Sequence, residues 1–345
     1  MQGARVSGNT VYRFNNSAVL SVTAVDAPEV ITSDYFDELL APTLDRLGVR
    51  KGMLQQLAGI EERRWWPEDV SFSDAAAQAG AQALAEAGIR PEQVGLLIDT
   101  SVSRARLEPS AAVAVHFALG LPSTCLNFDL SNACLGFVNG MQLAAMMIDS
   151  GQIEYALIVD GEGSRTVQER TLARLCTDET TVEDLFSDFA TLTLGSGAAG
   201  MVMGPADRHP EGHVFVGGIG RAATEHHLLC LGDMERMVTD SKGLLLAGLD
   251  VAEAAWKDAE EDFDWDDVQH YVMHQVSTVH CEAMIGRLGL DAAKAPLTFP
   301  TRGNIGPAAI PITLAMHQDK IQRGDRVILL GMGSGINAAA AELRW

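Results

Sequence analysis

Short β-rich apolar runs alternate along this chain with longer Ala- and Leu-rich stretches of helical spacing. This is the pattern of an α/β protein whose strands are covered by helices. Val94–Asp99, Tyr155–Asp160 and Arg326–Gly331 are continuous apolar runs that predict buried strands, while Val19–Val25 alternates as a half-buried strand does. Ser73–Ala87 predicts a helix opened by a Ser73-Asp74 cap and closed by Gly88. The stretch Cys134–Asp149 is apolar on nearly every face, so it predicts a helix buried all round. Residues 205–212, Pro-Ala-Asp-Arg-His-Pro-Glu-Gly, have loop composition and set an internal boundary between halves at 1–204 and 213–345.

The two halves repeat one another. The Val94–Ser103 segment can be laid on Val268–Ser277, and each leads into a helical stretch ending in Leu-Gly-Leu, at Leu119–Leu121 and Leu288–Leu290. Phe128 and Phe299 open the next matching segments, and Gly161-Glu-Gly-Ser164 matches Gly331-Met-Gly-Ser334. Three matches in one order, all at an offset near 170 residues, argue for duplication of a βαβ-type half. Ligands of such a molecule gather where the carboxyl ends of the strands meet.

Charge and cysteine content narrow the function. With 46 acidic against 25 basic residues the formal charge is −21, which repels a nucleic-acid backbone and excludes that partner. No window approaches the roughly 20 apolar residues of a membrane span, and the first 30 residues lack the pattern of a secretion signal. Five cysteines without a Cys-x-x-Cys pair fit reduced thiols in a cytoplasm and give no support for zinc. The acidic run 258–267 reads as a solvated helix end and loop.

Chemistry concentrates at the expected strand ends. Cys134 lies where a strand gives way to a buried helix, so the helix dipole is expected to favour its thiolate. It is the candidate nucleophile; taken by itself, a cysteine in this setting reads as a small core residue. His274 and Asn304 end two successive segments of the second half, and their side chains can donate to an oxyanion. The His270/His274 spacing would suit a metal on a helix, but the run reads as a strand and no metal is expected. The Gly331–Gly335 loop lacks the Lys-Ser/Thr ending of nucleotide motifs and more plausibly brings a backbone N–H close to a reacting carbonyl.

Taken together, Asn132-Ala-Cys-Leu-Gly-Phe137, Val272-Met-His-Gln275, Gly303-Asn-Ile-Gly-Pro307 and Gly331-Met-Gly-Ser-Gly335 resemble the Cys-His-Asn set of thiolase-superfamily condensing enzymes. The branch is that of 3-oxoacyl-carrier-protein synthase III, and the resemblance covers nearly the whole chain. It implies a thiolase-like α/β fold of duplicated halves in α-β-α-β-α layers. It implies that Cys134 takes the acyl group, that His274 and Asn304 form one oxyanion hole, and that the Cys134 and Gly333 amides form the other. Glu108, which precedes the nucleophile by 26 residues, is similar to the glutamate of the acyl-CoA head-to-head condensing enzymes of olefin biosynthesis. In that subfamily the glutamate reaches across a homodimer. The stretches Arg221-Ala-Ala-Thr-Glu225 and Arg236-Met-Val-Thr-Asp240 look like it too.

A base is needed because two plain acyl thioesters have no decarboxylation to supply a carbanion, so a carboxylate must take the α-proton. The resemblance therefore implies a cytoplasmic homodimer that joins two long-chain acyl-CoA molecules without decarboxylation. No metal or redox cofactor is required, and CoA enters only as part of the substrate. Arg63, Arg64 and Arg221 are the candidate contacts for its phosphates. The expected partners are the downstream enzymes of an olefin pathway. A malonyl-using synthase with the same three residues is the alternative enzyme. A degenerate scaffold would have lost the nucleophile, histidine or asparagine, and all three are present.

Overall fold

The apolar runs become strands of one large sheet. In the computed structural model, which describes residues 8–345, these are Thr10–Arg13 (β1), Ser17–Asp26 (β2), Val94–Asp99 (β3), Leu126–Asp129 (β4) and Tyr155–Glu162 (β5). They continue as Gly197–Pro205 (β6), His213–Ala222 (β7), His270–Met273 (β8), Arg326–Gly333 (β9) and Asn337–Arg344 (β10). The helices that matter for the site are Phe72–Ala87 (α1), Ala111–Ala118 (α2), Gly136–Asp149 (α3), Ser241–Ala259 (α4), Thr278–Leu288 (α5) and Ala309–His317 (α6).

The strand order is β8-β9-β10-β7-β2-β6-β5-β3-β4, with β1 against β7. Outward from the centre, β2-β6-β5-β3 and β7-β10-β9-β8 both pair antiparallel, antiparallel, then parallel. This is the duplication in structural form. In the sheet the halves are joined where β2 pairs with β7, at Ala18↔Val214 and Val19↔His213. The rest of that edge of β7 is filled by β1, from Thr10↔Gly220 to Arg13↔Gly217, so the first described strand lies on the second half. An otherwise bare strand edge explains the crossing.

Helices complete five layers. On one outer face α1 packs on β2, β5 and β6, while α2 packs on α1, β3 and β4. In the middle layer α3 packs on β2, β5 and β6, and α6 bridges β2 and β6 of one half to β8 and β9 of the other. On the far face α4 covers β7 and β10, and α5 packs on α4. With helices on both sides, every residue of β5 is buried. The middle layer is closed by Phe137, Met141, Ile310, Ile312 and Leu314, each at most 1% exposed. Burying each of the larger side chains contributes roughly 1.5–3 kcal/mol.

Two helix starts differ from the sequence reading. Ser71, not Ser73, caps α1: its hydroxyl accepts the Asp74 N–H, while the Asp74 carboxylate accepts the Ser71 N–H. α3 begins at Gly136 rather than at Cys134, because a tight turn with φ 45° at Ala133 intervenes. Among the described residues no helix is long and apolar enough to cross a membrane.

Candidate active site

Cys134 sits on the turn that opens α3. The turn is closed by Leu135 N–H donating to the Asn132 carbonyl and Gly136 N–H to the Ala133 carbonyl. It is fastened to the second half by Asn337, whose side-chain amide donates to Asn132 Oδ1 at 3.1 Å, while Asn132 donates to Asn139 Oδ1 at 2.7 Å. Gly333 lies at the hairpin opposite Asn337, so this link also sets the glycine loop against the nucleophile. Gly331, two residues earlier, packs against Leu135.

His274 follows the last residue of β8, and its backbone N–H donates to the Leu330 carbonyl of β9 at 2.8 Å. Gln275 ties it to the asparagine segment. Its carboxamide oxygen accepts the Thr298 and Phe299 N–H groups, and its NH2 donates to the Pro296 carbonyl. Asn304 is laced onto residues 193–195: its N–H donates to the Thr193 carbonyl and its own carbonyl accepts the Gly195 N–H, both at 2.9 Å. Its side-chain oxygen accepts the Gly306 N–H at 3.0 Å, which leaves the NH2 as the group able to donate to a ligand.

The electrostatics differ from the expectation for Cys134. Burial, followed by Cys230, Glu162 and Asp160, pushes its thiol up to about 12. The helix starts too late to offset that desolvation, so the resting group is a thiol. Burial, with His280 beside it, lowers His274 to about 3, so its imidazole is neutral and acts as a hydrogen-bond donor without charge. Cys230 is a second thiol close enough to bear on the nucleophile.

Beneath the turn lies a group of buried carboxyls that the sequence reading missed. Asp99, at the end of β3, accepts both the N–H and the hydroxyl of Ser101, and Asp160 accepts the Thr100 hydroxyl at 2.6 Å. Glu162 accepts the Val102 N–H at 2.6 Å, the Ser103 hydroxyl at 2.6 Å and the Ser103 N–H at 3.2 Å. The only signal in the sequence was an alternation of acids just past two apolar runs.

Glu108 is exposed on the loop between β3 and α2, well outside this buried network. Leu107 beside it is 95% exposed, and Phe117 near the end of α2 is 85% exposed. β4 is the last strand of the sheet, so one of its edges is unpaired among the described residues.

The proposed phosphate contacts need correction at Arg63. Its guanidinium is fully buried, donating to Ser33 Oγ at 3.2 Å and the Leu192 carbonyl at 3.0 Å, and stacked 4.4 Å over Phe36. A phosphate from outside cannot reach it. Arg64 pairs with Glu62 at 3.3 Å and Arg221 with Asp258 at 2.6 Å, so both already spend their charge on carboxylates. His270 pairs with Asp325 at 3.1 Å, and the described residues hold no cluster of three or more groups suited to a metal ion.

The duplicated five-layer fold, with a thiol, an imidazole, a carboxamide and a glycine loop at the strand ends, defines a thiolase-type condensing enzyme. Residues 128–216 match the family described as 3-oxoacyl-[acyl-carrier-protein] synthase III, and residues 259–345 match its C-terminal part. The chain is 44% identical to the acyl-CoA:acyl-CoA alkyltransferase of Xanthomonas campestris, over 96% of this chain and 99% of that protein. It is 31% identical to the enzyme of the same name from Shewanella oneidensis, over 92% and 96%. A solved structure of Xanthomonas campestris OleA with bound lauric acid and lauroyl-CoA superposes with a TM-score of 0.94 at 43% identity, covering 96% of this chain and 100% of that one. This chain belongs to the acyl-CoA:acyl-CoA alkyltransferase family.

Proposed function

We propose that the protein joins two long-chain acyl-CoA molecules head to head by a non-decarboxylative Claisen condensation, the opening step of long-chain olefin biosynthesis. The family carries the reaction class, and the exposed position of Glu108 carries the division of labour. In the first half-reaction the Cys134 sulfur bonds to the acyl carbonyl carbon and the carbon–sulfur bond to CoA breaks. The thiol gives up its proton as the carbon–sulfur bond forms, and that proton goes to the departing CoA thiolate. His274, the Asn304 amide and the Cys134 and Gly333 N–H groups receive the oxyanions that form.

In the second half-reaction Glu108 takes the α-proton of a second acyl-CoA, and the enolate carbon attacks the Cys134 thioester. The bond to sulfur breaks, the thiolate regains the proton, and 2-alkyl-3-oxoacyl-CoA departs. Water then cleaves its thioester to the 2-alkyl-3-oxoalkanoic acid and the second CoA. Glu108 acts in a neighbouring subunit of a homodimer. The reading is supported by the unpaired edge of β4 and the exposed Leu107 and Phe117, a surface suited to a second copy. The homodimer would work in the cytoplasm and pass its product to the downstream olefin-pathway enzymes. No metal or redox cofactor enters the reaction as written.

Variants of Xanthomonas campestris OleA with a cysteine, a histidine or a glutamate replaced have been solved, which supports a shared residue set. The test is to incubate purified protein with one long-chain acyl-CoA and no malonyl donor, following free CoA and lipid products by mass spectrometry. Wild type should give the β-keto acid or its decarboxylated ketone, Cys134→Ala neither CoA release nor product, and Glu108→Ala no condensed product. Ketone formation only on adding a malonyl thioester would replace this reading with a chain-initiating synthase.

A further inference from the structure

His280 is a second histidine in the wall behind His274, and the reaction above gives it nothing to do. It occupies the third position of α5, where Ser277 Oγ caps the helix by accepting the His280 N–H at 3.2 Å. Its ring and that of His274 line one cavity of about 30 Å³, whose other side chains are apolar or aromatic, Trp256, Met273, Met284 and Leu330 among them. The two rings meet edge to face, with centroids 6.5 Å apart and planes at 70°.

Three nitrogens in this arrangement lack a hydrogen-bond partner among the described residues although all are buried: Nδ1 of His274 and both ring nitrogens of His280. A buried polar atom left unpaired costs on the order of 1–3 kcal/mol, so three together point to a small polar occupant. A centroid separation of 6.5 Å is too long for a direct N–H···N bond and suits two rings joined through one oxygen. A cavity of about 30 Å³ has room for one water.

We propose that His280 is a positioning residue for His274, holding a water that donates to His274 Nδ1 and so fixes the tautomer with its proton on Nε2. An imidazole whose Nδ1 accepts a hydrogen bond must carry its proton on Nε2. Only that tautomer can donate from Nε2 to a carbonyl oxygen that is gaining charge. His280 provides the water's second contact through either ring nitrogen. Burial keeps His280 uncharged, so it orients its neighbour without adding charge to the cavity. The proposal rests on the oxyanion role given to His274 under Proposed function.

The experiment reads tautomer and turnover separately. With histidine labelled with nitrogen-15, the His274 shifts should show an unprotonated Nδ1 and a protonated Nε2 in wild type, and a shift toward the other tautomer in His280→Phe. The kcat for condensation should fall about tenfold in His280→Phe with KM for acyl-CoA nearly unchanged. His280→Asn, which can still hold a water, should recover most of that loss. A folded His280→Phe with the wild-type tautomer and wild-type kcat overturns the proposal, the nearby Gly306 backbone then sufficing to set the ring. If His280→Phe does not fold, a crystal structure of wild type decides. An ordered water bonded to both rings sustains the proposal, and an apolar or unbridged cavity overturns it. Should wild type make no condensed product, the reading of the reaction falls, while the tautomer still reports on the two histidines.

Discussion

Gly333 lies against the main chain of Cys134: a Cβ built on it would stand 3.4 Å from the Cys134 amide nitrogen and 3.2 Å from the Asn132 carbonyl oxygen. Both neighbours are backbone atoms that cannot swing aside. Gly333→Ala is therefore expected to push the nucleophile turn by a few tenths of an ångström and misalign the two N–H groups proposed to face the thioester oxygen. Since such donors act only when aimed at the developing charge, kcat should fall about tenfold or more. The melting temperature should move by only a few degrees. Steady-state CoA release beside a thermal melt checks both, and an unchanged kcat would remove Gly333 from the oxyanion site.

The Cys134 thiol, pushed up to about 12 chiefly by burial, should show itself in alkylation. Iodoacetamide labelling of Cys134, followed by peptide mass spectrometry, is expected to accelerate about tenfold per pH unit between pH 7 and 10 without levelling off. A plateau near neutrality would mean that α3 holds a thiolate after all. Without a plateau, the thiol loses its proton as the carbon–sulfur bond forms, not before.

The fold was legible because its strands are long apolar runs and because duplication writes the pattern twice. Cys134, His274, Asn304 and Gly333 stood out as candidates because each stands in a short motif at a strand end. What was hidden depends on partners far away in the chain. Arg63, in Arg-Arg-Trp-Trp, reads as basic surface, yet Ser33, Phe36 and Leu192 take its charge inside. The first turn of α3 was misplaced because Ala133 sits at φ 45° in a turn whose preceding residue, Asn132, is tied to Asn337 and Asn139 by side-chain hydrogen bonds that local propensity does not reveal. Asp99, Asp160 and Glu162 looked like ordinary strand endings until pairing of β3 with β5 set them together beside Thr100, Ser101 and Ser103.

Positioning of Asn304 depends on two glycines that cross. Gly303 has φ 70°, and a Cβ there would stand 2.7 Å from the Thr193 carbonyl oxygen. A Cβ on Gly195 would collide with the Arg302 carbonyl. Both close approaches permit the hydrogen bonds that lace residue 304 to 193–195. Gly195→Ala should therefore cost about 2 kcal/mol or more and abolish most condensation, whereas Asn304→Ala should lose activity with little change in melting. Comparing the two variants by thermal melting and CoA release separates a displaced asparagine from a missing one.

The buried carboxyls should make stability fall as pH rises through the neutral range. Burial raises Asp99 to about 6 and Glu162 to about 7, and Asp160 is raised as well by burial and by Glu162. In an unfolded chain they titrate near their ordinary values of 3.8 and 4.5. A folded-state value above the unfolded one gives a contribution fully present below the unfolded value and lost as pH climbs through the folded one. Glu162→Gln removes one of these ionisations while keeping an oxygen to accept from Val102 or Ser103. Its melting temperature relative to wild type should therefore climb between about pH 4.5 and 7 and then level. A difference that stays flat across that window would mean that Glu162 is ionised throughout, its three hydrogen bonds from Val102 and Ser103 outweighing its burial.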